Sequence, residues 1–173
     1  MKRFLKLLTL LLIVVSIPMM TGCGEKREEL KFDGEEGTIT FNVLKSSKYK
    51  ISTNKDDLRT SREQGVLIGD GFKIGIEFDD NYKYFYGSSL DELIKTKKDN
   101  SDFKEVTYSG VKGVQYFYGG YNCYDIILPV KNNEKYLLNL SVYGKEDNES
   151  SAKDAIADKA VKDVLDHMTF SAK

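Results

Sequence analysis

The side chains most often used for nucleophilic or imidazole chemistry are few in this 173-residue chain: two cysteines, Cys23 and Cys123, and one histidine, His167. An imidazole needs a partner at suitable spacing to bind a metal or relay a proton, and no such partner accompanies His167. It falls near the end of a helical stretch, where a protonated ring meets the negative end of the helix dipole, so a structural role is expected. Cys123 lies in a strand-like segment beside Tyr121 and Asp125 with no base indicated. A covered free thiol is expected there, ahead of an intermolecular disulfide or a nucleophile. Asp79-Asp80-Asn81 clusters oxygens but lacks the alternating-oxygen pattern and closing glutamate of a calcium loop, and reads as a solvated loop. No nucleophile elbow, Cys-x-x-Cys, His-Glu-x-x-His or phosphate-binding loop occurs. The sequence thus predicts no catalytic residue, no metal ligand and no cofactor. The enzymatic alternative is a hydrolase whose carboxylates converge in an unrecognised cleft.

Cys23 has a distinctive context. Lys2, Arg3 and Lys6 form a basic head, Leu7 to Met20 an uncharged, mostly aliphatic run, and Thr21-Gly22 a small-residue step before the thiol. That order is an export signal. Its ending, Met20-Thr21-Gly22-Cys23, resembles the lipobox of bacterial lipoproteins, with Met in place of the usual Leu. The resemblance implies diacylglycerol on the Cys23 thiol, cleavage before it, and a lipid anchor in the cell membrane. An uncleaved anchor helix is the competing reading, because no charge occurs from Leu7 to Gly24, near the roughly 18–20 residues a span needs. Pro18, Thr21 and Gly22 weaken its last turn. An ordinary cleaved signal is the other alternative. In each case the basic head stays cytoplasmic and the domain faces the extracytoplasmic side. Two or more acyl chains, at about 0.8 kcal/mol per buried methylene, would hold the protein firmly.

The tyrosines are the other group with chemistry to offer. Tyr82, Tyr84 and Tyr86 lie between a strand and a helix; Tyr116, Phe117, Tyr118 and Tyr121 surround Gly119-Gly120. Rings with polar tips are enriched at binding surfaces, and they are also ordinary sheet residues. Sheet and core packing is the favoured reading, and an aromatic recognition patch at Tyr118 and Tyr121, or a pocket lined by Tyr82, Tyr84 and Tyr86, the alternative. Absence of Trp weakens a sugar-stacking role.

Cleavage before Cys23 leaves 151 residues, enough for one domain burying roughly two thirds of its unfolded-chain surface. Loss of Lys2, Arg3 and Lys6 leaves 23 basic against 27 acidic residues. A mildly acidic chain without a basic stripe argues against nucleic acid and against adherence to an anionic bilayer. With Cys23 lipidated, Cys123 has no intramolecular partner, and the core must hold without disulfides.

The elements that position these groups follow from periodicity. Residues 1–22 are the signal. Residues 23–36 are the lipidated cysteine and a tether: Gly24 to Glu36 carries nine charges in thirteen residues, and a coil of that length spans about 20 Å. Residues 37–173 form one α+β domain. Ile39, Phe41 and Val43 alternate with polar residues as a half-buried strand, and Tyr49 and Ile51 continue as its partner. Val66 to Ile68 and Phe72 to Phe78 make a hairpin across Gly69-Asp70-Gly71. Ser89-x-x-Glu92 is a capping box for a helix from Leu90 to about Lys98. Phe103 to Tyr108 is a strand; Gly113 to Tyr118 and Tyr121 to Val130 flank a two-residue turn at Gly119-Gly120; Lys135 to Tyr143 returns. One face carries Tyr124, Ile126, Leu128, Val130, Tyr136, Leu138, Leu140 and Val142. The other carries Phe117, Ile127, Leu137 and Tyr143, so the sheet needs a layer on each side. Ser151 caps a last helix whose stripe is Ile156, Ala160, Val161, Val164, Leu165 and Met168; Thr169-Phe170 returns to a sheet edge.

The opening strand Thr40-Phe41-Asn42-Val43, the helix near Leu90, the meander containing Gly110-Val111-Lys112-Gly113-Val114, and the closing Val161-x-x-Val164-Leu165-x-x-Met168-x-Phe170 together resemble the Mog1/PsbP-like α/β/α sandwich, over roughly residues 37 to 170. The resemblance implies a largely antiparallel sheet with helices on its faces, and a role in binding proteins or assisting assemblies. Shared fold does not transfer function. The expectation is a membrane-tethered, non-enzymatic protein-interaction or assembly module with an envelope protein as partner and no nucleic acid. A small-ligand or envelope-glycan binding lipoprotein is the alternative.

Overall fold

The computed structural model describes residues 25–80, 89–131, 133 and 135–173. Period-two apolar alternation builds two antiparallel sheets. The smaller consists of β1 (Arg27–Asp33), β2 (Gly37–Leu44) and β10 (Met168–Ala172), with β2 in the middle. The larger has seven strands in the order β3 (Lys50–Ser52), β4 (Gly65–Ile68), β5 (Phe72–Asp79), β9 (Leu137–Gly144), β8 (Cys123–Pro129), β7 (Val111–Tyr118) and β6 (Lys104–Tyr108). Among the described residues three helices pack against them: α1 (Leu90–Lys97), α2 (Glu149–Ala157) and α3 (Lys159–Asp166). The fold is α+β.

The inner face of the large sheet carries Leu67, Ile74, Ile76, Tyr124, Ile126, Leu128, Leu138, Leu140 and Val142. It shares one core with Ile39, Phe41 and Val43 of the small sheet and with Val161, Val164 and Leu165 of α3. The outer face has a smaller cluster in which Leu93 of α1 meets Val114, Tyr116, Ile127 and Leu137. The expected layer on each side is therefore present.

Residues 27–33 depart from the expected tether. Leu30 and Phe32 sit two apart and so share a face, and they pair with Phe41 and Ile39 of β2. Phe32 is 4% exposed. The charged residues that made the segment read as a coil suit an edge strand, whose unpaired backbone they guard against other chains. β2 also pairs with β10 rather than with β3, which joins the large sheet. Phe117 pairs with Tyr124 and packs on the inner face; Tyr116 takes the outer position.

Helix ends follow local chemistry. Ser89 accepts from Glu92 N and Glu92 caps Ser89 N in return, as the capping box requires. The closing helical stripe is split in two: Asp158 adopts an extended conformation and accepts from Ala160 N at 2.7 Å, ending α2 and capping α3. Asn148, not Ser151, caps α2. The β7–β8 connection spans four residues, since Tyr118 pairs with Cys123. Its left-handed residue is Asn122 (φ 49°), not either glycine. A two-residue turn instead joins β6 to β7 at Ser109-Gly110, both left-handed (φ 50° and 72°), as a type I′ turn demands.

Candidate functional site

Tyr118 and Tyr121 stand at the tip of the β7–β8 hairpin. They are 39% and 43% exposed, with ring centroids 5.6 Å apart and a tilt of 59°. The remaining aromatics of the hairpin are covered: Tyr116 is buried on the outer face and Tyr124 on the inner, where Phe117 packs on the Tyr124 ring at 5.5 Å. The aromatic group read from the sequence thus divides into core and an exposed pair.

The tip is tied down on two sides. Asn122 Nδ2 donates to the Asp147 carbonyl at 3.3 Å and to Asp147 Oδ1 at 3.2 Å, and Arg59 stands 3.5 Å from Asp147 Oδ2. Phe117 N donates to Ser101 O at 2.8 Å, and the Tyr124 hydroxyl to Asp102 Oδ2 at 2.5 Å. A pre-organised pair of rings loses little freedom when a partner covers it. Tyr82, Tyr84, Tyr86 and Cys23 lie outside the described residues.

Behind the tip, the outer face holds a buried polar row that sequence patterning did not reveal. Gly75, Ser141, Asp125 and Tyr116 face one another across β5, β9, β8 and β7. Asp125 is 3% exposed and receives three donors: Ser141 Oγ at 2.6 Å, Tyr116 OH at 3.3 Å and Cys123 Sγ at 3.6 Å. Burial pushes its pKa up, and these donors with nearby Lys97 oppose that shift. Lys97 Nζ sits 4.7 Å from the Tyr116 ring centroid, and burial lowers its pKa.

Two glutamates extend the row. Glu63 Oε1 accepts from Tyr143 OH at 2.5 Å, and Oε2 from Arg59 N at 2.8 Å. Its side chain fills the space a Cβ on Gly75 would take, 2.5 Å away. Glu77 Oε2 accepts from Asn139 Nδ2 at 3.4 Å, with Arg62 Nε 3.7 Å from Oε1. Burial, opposed by Arg62, pushes Glu77 up to about 7. A carboxyl poised near neutrality is suited to proton transfer. Yet Glu63, Glu77 and Asp125 are at most 6% exposed, so they are covered rather than presented in a cleft. Their evident work is to join the 58–64 loop and α1 to the sheet.

Cys123 is a buried free thiol, its pKa raised by burial and by Asp125. That is opposite to what a nucleophile needs. His167 ends α3 with Nδ1 2.9 Å from Asp163 O and 3.2 Å from Asp163 Oδ1. Asp80 lies 3.9 Å from Lys135 Nζ. A charged residue amid the apolar run Cys123-Tyr124-Asp125-Ile126-Ile127 was the one sequence signal for the buried row. Comparison with protein-family models, curated proteins and solved structures returns no match.

Proposed function

We propose that this chain is a lipid-anchored, extracytoplasmic, non-enzymatic interaction module of the bacterial envelope, with a Mog1/PsbP-like α/β/α sandwich as its domain. In this reading Cys23 carries the anchor and an envelope protein docks on the Tyr118–Tyr121 tip. The observation that carries it is the exposed, contacting tyrosine pair on a hairpin braced by Asn122, Asp147 and Arg59. Tyrosine supplies apolar area with few rotamers to freeze and a hydroxyl for the rim, which is why it recurs at binding hot spots. The sandwich reading is supported by α1 on the outer face and α2 and α3 on the inner.

In-cell cross-linking of the wild type against Tyr118→Ala/Tyr121→Ala tests the surface. The double variant is expected to lose its main cross-linked species while reaching the membrane in equal amount. An unchanged set of partners would remove the tip from consideration.

A further inference from the structure

We infer that the loop beside the N-terminal strand, carrying Lys45 and Lys48, is a second membrane contact that docks on anionic phospholipid headgroups; this rests on the reading of Cys23 as the anchor. Only Gly24, Glu25 and Lys26 separate Cys23 from β1. Fully extended, that link reaches at most about 14 Å. The start of β1 is not free to wander. Arg27 pairs with Leu44 and binds Asp163 through both guanidinium nitrogens, at 3.1 and 2.6 Å. This end of the domain must therefore stay at the membrane surface.

What it presents there is basic. Lys45 N donates to Lys26 O at 2.8 Å, placing two lysines from distant sequence side by side. Lys48 follows in the same loop and Lys50 opens β3. All four are exposed and none makes an ion pair with a described residue. The carboxylates nearest this end are Glu25 and Asp70, with Glu28 and Glu29 one and two residues further along β1, while Asp163 is engaged by Arg27. Ser46, Ser47 and Lys48 also line a cleft of about 710 Å³ with Tyr49, Gly69, Asp70 and Ala160. Hydroxyls beside an ammonium are donors suited to a headgroup phosphate. An acyl anchor and a basic patch acting together hold a protein more closely than either alone.

The test uses the lipidated full chain in phosphatidylcholine vesicles with or without one part in three of phosphatidylglycerol. An environment-sensitive fluorophore is placed on Ser46→Cys, Cys123 being buried. Phosphatidylglycerol is expected to shift the probe to an apolar signature, and raised salt to reverse it. Lys26→Gln/Lys45→Gln/Lys48→Gln is expected to lower the docked-to-free ratio by about fivefold per lysine. Lys95→Gln/Lys98→Gln/Lys112→Gln, exposed lysines on α1, at its end and on β7, should leave it unchanged. A probe indifferent to phosphatidylglycerol, or an equal loss in both triple variants, overturns the contact. The mass of the N-terminal peptide separates the two readings. Diacylglycerol on Cys23 with an indifferent probe overturns this contact alone, whereas an unmodified Cys23 overturns the anchor and the contact together.

Discussion

Replacing Glu77 with Gln should stabilise the protein at alkaline pH and leave it unchanged in acid. The residue is 6% exposed, and burial is the main cause that lifts its carboxyl from 4.5 to about 7. Asp79 adds to the rise; Arg62 and the Asn139 amide oppose it. Below pH 4.5 the folded and unfolded chains both hold this proton. Between 4.5 and 7 the unfolded chain releases it first, so stability falls as pH rises. Above 7 the whole cost is present. A difference of two and a half pH units corresponds to about 3 kcal/mol. Gln resembles the protonated carboxyl and can still accept from Asn139, so the variant avoids that cost. Urea unfolding of both proteins at pH 8 and pH 4.5 measures the difference. The expected gain at pH 8 is about 3 kcal/mol, or roughly 6–12 °C in melting temperature for a domain of this size. At pH 4.5, where the unfolded carboxyl is half ionised, the gain should fall to about 0.4 kcal/mol. Equal shifts at both values, or a loss at pH 8, would refute the reasoning, because the carboxylate would then be stabilising the fold in its charged form.

Two other outcomes follow from the packing. Phe32→Ala should cost about 3–4 kcal/mol, as truncation of a core aromatic does; a cost within about 0.5 kcal/mol, typical of an exposed site, would return residues 27–33 to a tether. Cys123 should resist maleimide in the native protein and react fully in denaturant, and no dimer dependent on it should appear on non-reducing electrophoresis; rapid native labelling would show that the outer face opens.

Much of the fold was legible where the signal is local. The capping box at Ser89–Glu92, the Gly69-Asp70-Gly71 hairpin and the alternation in β5, β8 and β9 each depend on residues within one turn or one strand. Strand order was not legible, because the pairings that set it join distant segments: Glu77 faces Asn139, and Thr40 faces Thr169. The split between α2 and α3 escaped because the apolar stripe runs through Asp158 without a break, and only its side chain's bond to Ala160 N ends one helix and begins the next. Tyr118 and Tyr121 were legible as candidates by their place at a turn. The buried row was not, since Lys73, Gly75 and Glu77 alternate with apolar residues as a solvated face would. What covers them is a loop from elsewhere in the chain, admitted by the missing side chain of Gly75.

Charge shows how far one misread strand can propagate. A net acidic balance argues against bilayer contact only if the charges are spread evenly and the domain hangs clear of the surface. With thirteen residues of coil after Cys23, Lys45 and Lys48 would sit about 20 Å away, beyond two screening lengths of about 8 Å, and would feel little of the bilayer's field. If Cys23 carries the proposed anchor, β1 beginning at Arg27 shortens the link to three residues and would bring the lysines into that field. Leu30 and Phe32 decide between the two geometries, because their burial against Phe41 and Ile39 is what makes residues 27–33 a strand. The Phe32→Ala measurement therefore bears on the membrane contact as directly as on the core. If that truncation were harmless, the anionic-lipid dependence should be absent as well.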